Sequence, residues 1–256
     1  MNRCWLALGL VTLSVLLASL PDLLREAAEL VVGPASPPWL LHRREAPSRQ
    51  LAVRQPPVES LSEAPLFAQL QAGDQEWLPR AEPLDGGGIR FVYKRRAGEP
   101  ELSIAEIRAL IIDPPSHLAE RRAISDLLEL LRRSGGTVVL SEPIKTGAAA
   151  EWDPQQRTLR IRPDVPGRGT VEFARVLNHE AIHVAQSCSA GGLGAPPRRL
   201  GIAPPLTPFL AAQLREPLYA DASEAEREME LEAYAHQQRL GVGLALVKLY
   251  CLDGRS

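Results

Sequence analysis

A histidine pair with an adjacent glutamate stands at a spacing that can bind and activate a metal ion. His179, Glu180 and His183 form the pattern HExxH. On a helix, residues four apart lie on one face, so the two imidazoles can bind the same ion. Glu180 is turned away by one position and can instead take a proton from a water bound to that ion. Because zinc lowers the pKa of such a water to about 7, the motif predicts zinc-dependent hydrolysis with Glu180 as general base.

The third zinc ligand has to come from elsewhere in the chain, since a catalytic zinc takes three protein ligands and keeps one open position. The longer pattern HExxHxxGxxH fails, because Gln186 and Ser189 occupy the places of the glycine and the third histidine. An acidic segment farther along contains Glu230 and Glu232, which are both candidates. The register of that helix cannot be read from sequence, so the residues alone leave the choice open.

A later glutamate helix gives the motif a family resemblance. HExxH followed by Glu-x-x-Ala, here Glu230 and Ala233, resembles the gluzincin clan of zinc metallopeptidases. The resemblance implies that His179, His183 and Glu230 hold Zn²⁺ and that a peptide or protein is the substrate. Ala233 shares the face of Glu230, and its small side chain lets the two helices approach closely. Many gluzincins carry an acid directly after this alanine, where this chain has Tyr234.

The resemblance covers residues 103–240 and implies two further features of the site. In gluzincins the edge strand before the HExxH helix holds the substrate in an extended conformation, which assigns that role to residues 157–162. A donor that stabilises the oxyanion is also implied. Tyr219 and Tyr234 are the candidates, although packing is the simpler interpretation of each, and neither is assigned to catalysis.

Patterns around the motif predict an α+β domain of the minimal gluzincin kind. Ser103 and Glu106 stand at capping-box spacing at the start of one helix. Ser116 can cap the next helix, which Gly135 ends. Apolar residues at helical spacing on the two helices predict a helical hairpin with a buried stripe: Ile104, Ile107, Ile111, Ile124, Leu127, Leu128 and Leu131.

Two or three short strands follow the hairpin, at residues 137–140, 148–152 and 157–162. In the last of these, polar and apolar side chains alternate, which favours an exposed edge strand with one wet face. The HExxH helix then begins after Gly169. The glutamate helix begins at a second capping box, formed by Ser223 and Glu226, and is predicted to run to about residue 240.

An apolar run from Trp5 to Leu20 follows a positive start at Arg3. Residues 1–24 are therefore predicted to be a signal peptide or an uncleaved membrane anchor. Either one places the body of the chain outside the cytoplasm, with the membrane as a partner of the N-terminal segment. An oxidising compartment would permit a disulfide between Cys188 and Cys251, although their distance cannot be read from sequence.

The remaining sequence divides into a linker and a domain. Residues 25–102 are rich in proline and glycine and are predicted to be a linker or stalk, which leaves residues 103–256 as the metallopeptidase domain. The chain carries 29 basic and 31 acidic residues, a balance that offers no surface for nucleic acid. A second function class stays open, a non-catalytic zinc-binding scaffold or assembly protein at a membrane. The intact Glu180 favours the enzyme, because binding a metal needs no base.

Overall fold

The structure is a computed structural model that describes residues 61–95 and 100–253. The predicted signal or anchor at residues 1–24 and the first part of the predicted linker lie outside this part of the chain. The fold is α+β, as predicted. Its helices are α1 (Glu63–Trp77), α2 (Ile104–Ile112), α3 (Leu118–Ser134), α4 (Thr170–Ser189), α5 (Pro208–Gln213), α6 (Glu224–His236) and α7 (Val242–Val247). Its strands are β1 (Arg80–Pro83), β2 (Ile89–Val92), β3 (Thr137–Leu140), β4 (Ala150–Asp153) and β5 (Thr158–Ile161). Among the described residues, no helix is both long and apolar enough to cross a membrane.

Helix α4, which carries the HExxH motif, is the centre of the domain. Fifteen of its 20 residues are buried, and they are spread around the helix rather than confined to one face. A helix of this kind has to be covered on every side. Helices α3, α6 and α7 and strand β4 supply the cover. The motif is therefore held by the core rather than by a surface loop.

The predicted helical hairpin is confirmed in its two helices but only half confirmed in its buried stripe. On α3 the predicted apolar residues are all buried, and Gly135 ends the helix in the left-handed conformation. The predicted cap of α3 is wrong by one position: the N-cap residue is His117 rather than Ser116, and its side chain makes no capping hydrogen bond. On α2 the capping box forms, yet of the three predicted residues only Ile107 is buried, whereas Ile104 and Ile111 are 59% and 37% exposed. Helical spacing shows that apolar residues share a face, but it does not show how much of that face a neighbour covers.

The predicted edge strand at residues 157–162 is wrong, because β5 lies in the middle of its sheet. The strand order is β3-β5-β4, with β3 parallel and β4 antiparallel to β5. Alternating polar residues marked one wet face of the sheet, and a central strand can have such a face as well as an edge strand. Arg160, for example, pairs on that face with Asp153 at 3.3 Å. The edge beside α4 is β4.

Part of the predicted linker belongs to the folded domain. Helix α1 buries Leu66 and Leu70 completely in the core. At Gly73 a Cβ atom would lie 2.7 Å from the backbone nitrogen of Gly169, so only glycine permits this approach. Asp74 then caps α4, because its carboxylate accepts hydrogen bonds from the backbone N–H and the hydroxyl of Thr170, both at 2.6 Å. The domain therefore begins well before residue 103.

The C-terminal segment packs behind the motif helix. Asn178, the residue before the motif, accepts a 2.8 Å hydrogen bond from the N–H of Gly243 on α7, and its amide donates to the carbonyl of Gln237 at 2.9 Å. Cys188, near the end of α4, forms a disulfide with Cys251 beyond α7. The disulfide that the sequence left open is therefore present, and both ends of the C-terminal segment are fixed to α4.

Candidate metal centre

His179, His183 and Glu230 bring three potential ligand atoms together in the cleft beside α4. The Nε2 atoms of the two histidines lie 3.2 Å apart. Oε2 of Glu230 lies 3.2 Å from Nε2 of His179 and 3.5 Å from Nε2 of His183. Tetrahedral ligands at the usual zinc distances of about 2.0–2.1 Å are separated by roughly 3.3 Å. The donor set and its spacing therefore fit a zinc ion.

Two helices place these ligands. The histidines lie four residues apart on α4, and Glu230 comes from α6, which packs across α4. Ala233, which was predicted to let the two helices approach closely, is fully buried on α6. A larger side chain would not fit at this buried position without moving its neighbours.

Glu232, the alternative third ligand, points away from the cluster. It is fully buried, and its carboxylate accepts hydrogen bonds from the backbone N–H groups of Leu200, Gly201 and Ile202. The amide of Gln186 donates a fourth, at 2.9 Å. Glu232 thus fixes the loop that follows α4, and Glu230 is the acid that joins the two histidines.

Two glutamines contact the other ring nitrogens of the histidines, and sequence reasoning did not identify either of them. Oε1 of Gln186 lies 2.7 Å from Nδ1 of His183, and Oε1 of Gln237 lies 3.3 Å from Nδ1 of His179. Such partners orient metal-binding imidazoles and select their tautomer. Gln186 could have been found, since it follows His183 by three residues on the same helix. Gln237 lies beyond the end of α6, where no pattern pointed to it.

Tyr219 and Tyr234, the two oxyanion candidates, both line the cleft. The hydroxyl of Tyr219 donates to Oε2 of Glu230 at 3.1 Å and lies 2.8 Å from the hydroxyl of Tyr234. Burial, reinforced by the nearby Glu230 charge, raises the pKa of Tyr219 far above its usual value. Burial likewise raises the pKa of Tyr234, to about 12. Both phenols therefore stay protonated at neutral pH and can donate hydrogen bonds.

Glu180 stands beside the three ligands without joining them. It is 5% exposed, and burial raises the pKa of its carboxyl, although the neighbouring histidines oppose the shift. The backbone of Trp152 on β4 also opposes the rise, because it favours the charged form of the carboxylate. A raised carboxyl pKa suits a group that takes up a proton and later releases it near neutral pH.

The three ligands also set the electrostatics of the site. Burial alone would lower the pKa of His183, but the adjacent Glu230 carboxylate outweighs burial and raises that pKa to about 9. Reciprocally, burial would raise the pKa of Glu230, and the charge on His183 holds it far below its usual value. At neutral pH a proton on His183 thus places a positive charge beside the Glu230 carboxylate.

The cleft has a cavity of about 400 Å³ with α4 on one side and β4 on the other. Trp152 of β4 contacts α4 directly, because its indole N–H donates a hydrogen bond to the hydroxyl of Ser187 at 2.9 Å. The N–H of Arg162 donates to the carbonyl of Ala149, which fixes the register of β4 on β5. Because bonding alternates along an antiparallel pair, the backbone of Ala150, like that of Trp152, points toward the open side of the sheet.

The structure therefore unites His179, His183 and Glu230, with Glu180 adjacent, and separates Glu232 from them. The strand predicted to hold substrate, residues 157–162, does not line the cleft, whereas β4 does. Comparison with family models, with curated proteins and with solved structures gave no significant match.

Proposed function

We propose that this protein is a zinc-dependent peptidase whose metal is held by His179, His183 and Glu230. One observation carries the proposal: three donor atoms stand at tetrahedral zinc spacing, and a buried glutamate that is not a ligand stands next to them. A site built only to bind a metal has no use for Glu180 in that position. The intact base therefore favours hydrolysis over the scaffold role.

The residues of the cleft divide the steps of hydrolysis among them. Zinc, when bound, polarises the substrate carbonyl and lowers the pKa of an attacking water. Glu180 takes a proton from that water and then delivers it to the nitrogen of the leaving amine. The backbone of Trp152 favours the charged form of the Glu180 carboxylate, the form that accepts the proton. The raised pKa of Glu180 makes both proton transfers accessible near neutral pH.

The tyrosine pair supplies hydrogen bonds where negative charge develops. Tyr219 contacts Glu230 directly, and Tyr234 contacts both the Tyr219 hydroxyl and, edge to face, the ring of His179 at 4.7 Å between centroids. A phenol in this position donates to the carbonyl oxygen as it becomes an oxyanion. The substitution Tyr234→Phe is therefore expected to lower kcat more than it raises KM.

The substrate is a peptide or protein segment in extended conformation. Strand β4 is the sheet edge beside α4, and the backbone of Ala150 points to its open side. An extended peptide can add to such an edge by main-chain hydrogen bonds. Residues 148–150, which line the cavity, are all alanines. Their side chains are too small to form a pocket, so this side of the cleft fits a peptide backbone and does not select a particular large side chain.

The location that fits this activity is outside the cytoplasm, either exported or anchored by residues 1–24. The disulfide between Cys188 and Cys251 supports this part of the proposal, because structural disulfides are typical of oxidising compartments.

The test is hydrolysis of a mixed library of quenched fluorescent peptides by the zinc-loaded full-length chain and by Glu180→Gln. The wild type should cleave, and the variant should bind zinc equally but lose activity by at least about a hundredfold. Equal cleavage by both proteins would contradict the role of Glu180. A wild type that binds zinc and cleaves nothing in the library would leave the scaffold role as the better account.

A further inference from the structure

We infer that Gln186, held in place by Glu232, is a positioning residue that fixes the tautomer of the zinc ligand His183. The inference rests on the proposed zinc site and deepens it. It also gives Glu232, the acid that does not bind the metal, a specific role at the metal.

The contacts of Gln186 leave its amide one orientation. Its Nε2 lies 3.1 Å from the backbone carbonyl of Met229 and 2.9 Å from Oε2 of Glu232. Both partners only accept hydrogen bonds, so the donor end of the amide has to face them. The carbonyl end, Oε1, therefore faces the ring of His183.

The orientation of this amide decides where the imidazole carries its hydrogen. Oε1 of Gln186 lies 2.7 Å from Nδ1 of His183 and can only accept. Nδ1 of His183 thus carries a hydrogen whether the ring is charged or neutral, and in the neutral ring, the form that binds a metal, Nε2 keeps the lone pair. That same Nε2 faces His179 and Glu230 at 3.2 and 3.5 Å, where the metal would sit. An imidazole of the opposite tautomer could not bind zinc through this atom.

The Glu232 carboxylate is what keeps the amide from reversing. Its oxygens accept four hydrogen bonds, with Leu200 and Gln186 on Oε2 and Gly201 and Ile202 on Oε1. If Glu232 were a glutamine, one of its two oxygens would become an NH₂ group, which donates and cannot accept the two hydrogen bonds made at that position. One relief is for Gln186 to turn its own carbonyl toward that NH₂ group, which would present Nε2 of Gln186 to His183 and favour the wrong tautomer.

The same carboxylate couples the metal ligand to the wall of the cleft. The backbone groups that it binds, at residues 200–202, begin three positions after Pro197, which lines the cavity together with Pro196. His183 and this wall are therefore positioned by one buried group, Glu232, through Gln186 on one side and through the loop backbone on the other.

The experiment compares zinc binding and the state of His183 in the full-length chain labelled with ¹⁵N-histidine. Gln186→Met keeps the length of the side chain and removes both ends of the amide. Glu232→Gln keeps the volume and removes two acceptor positions. Glu228→Gln is the matched control, because Glu228 lies on α6 like Glu232 but has a side chain that is 43% exposed and pairs with the exposed Arg199. Zinc Kd is measured by chelator competition, and the Nδ1–H signal of zinc-loaded His183 by NMR.

The wild type and Glu228→Gln should show a protected Nδ1–H signal from His183 and the same Kd. Gln186→Met should lose that protection and raise the Kd by roughly 10- to 100-fold, the usual effect of removing such a partner. Glu232→Gln should shift both readings in the same direction. A role confined to stability would lower the melting temperature and leave the NMR signal and the Kd of the folded protein unchanged.

A folded Gln186→Met variant with the wild-type Kd and the wild-type Nδ1–H signal would overturn the inference. Where that variant does not fold, Glu232→Gln decides by the same two readings. A wild type that binds no zinc overturns the proposed function and the inference together. A wild type that binds zinc and is matched by both variants overturns the inference alone.

Discussion

The disulfide between Cys188 and Cys251 should contribute a large share of the stability of the domain. The two cysteines are 63 residues apart in the chain. Closing a loop of that length in the unfolded chain removes entropy equivalent to about 4 kcal/mol at 25 °C by the chain-entropy relation. Both cysteines are buried, and without the disulfide bond a buried cysteine packs like a small apolar side chain, so alanine is a suitable replacement. We expect the double substitution Cys188→Ala and Cys251→Ala to lower the free energy of unfolding by about 4 kcal/mol.

The assay is thermal and urea unfolding followed by circular dichroism. For a domain of this size, about 4 kcal/mol corresponds to a fall in Tm of roughly 8–16 °C. The control is Cys4→Ser, which leaves the bonded pair intact and should unfold like the wild type. Treating the wild type with a reductant should reproduce the effect of the double variant. The reasoning is refuted if the oxidised wild type and the double variant unfold within about 2 °C of each other.

Three more substitutions or conditions give measurable outcomes. Asp74→Ala should remove the cap that α1 provides at Thr170 and lower the free energy of unfolding by about 1–2 kcal/mol in urea titrations. Gly243→Ala should destabilise by about 1–3 kcal/mol, because the new Cβ would lie 2.6 Å from the side-chain oxygen of Asn178. Zinc binding at pH 7.5 should release about one proton and weaken as pH falls, since the metal-free pKa of His183 is raised to about 9 and the bound imidazole must be neutral. Calorimetry in two buffers of different ionisation enthalpy measures that proton.

Each of these outcomes has a clear contrary result. Gly194→Ala is the control for Gly243→Ala, because a Cβ there would meet nothing nearer than 3.9 Å. Equal stability of the two alanine variants would contradict the close packing of α7 on α4. An Asp74→Ala variant as stable as the wild type would show that α1 is not needed to cap α4. A zinc-binding enthalpy that is the same in both buffers would contradict the protonated state of His183.

The parts of the fold that the sequence predicted depend on local patterns. The capping boxes at Ser103 and Ser223 form as expected, because each is made by residues three positions apart on one segment. The HExxH helix and the spacing of its histidines follow from helical periodicity alone. The stripe on α3 is buried because it lies on a helix that packs directly on α4.

The parts that the sequence did not predict depend on contacts between distant segments. Strand β5 has the alternation of a half-buried strand, and no local pattern states which neighbours pair on each side. Helix α1 belongs to the core through Gly73 and Asp74, residue types that are also common in linkers. Gln237 reaches His179 only because α6 crosses α4. Glu230 and Glu232 differ in sequence by two positions, yet they face opposite sides of α6.

Metal content and zinc affinity of the purified full-length chain, compared with Glu230→Gln and with the control Glu228→Gln, are the decisive measurements for the proposed three-residue zinc site. We expect about one zinc per chain in the wild type and in Glu228→Gln, and loss of that zinc in Glu230→Gln, because two histidines alone are a weak site. A folded wild type that binds no zinc, or a Glu230→Gln variant that binds it with unchanged affinity, would contradict the account.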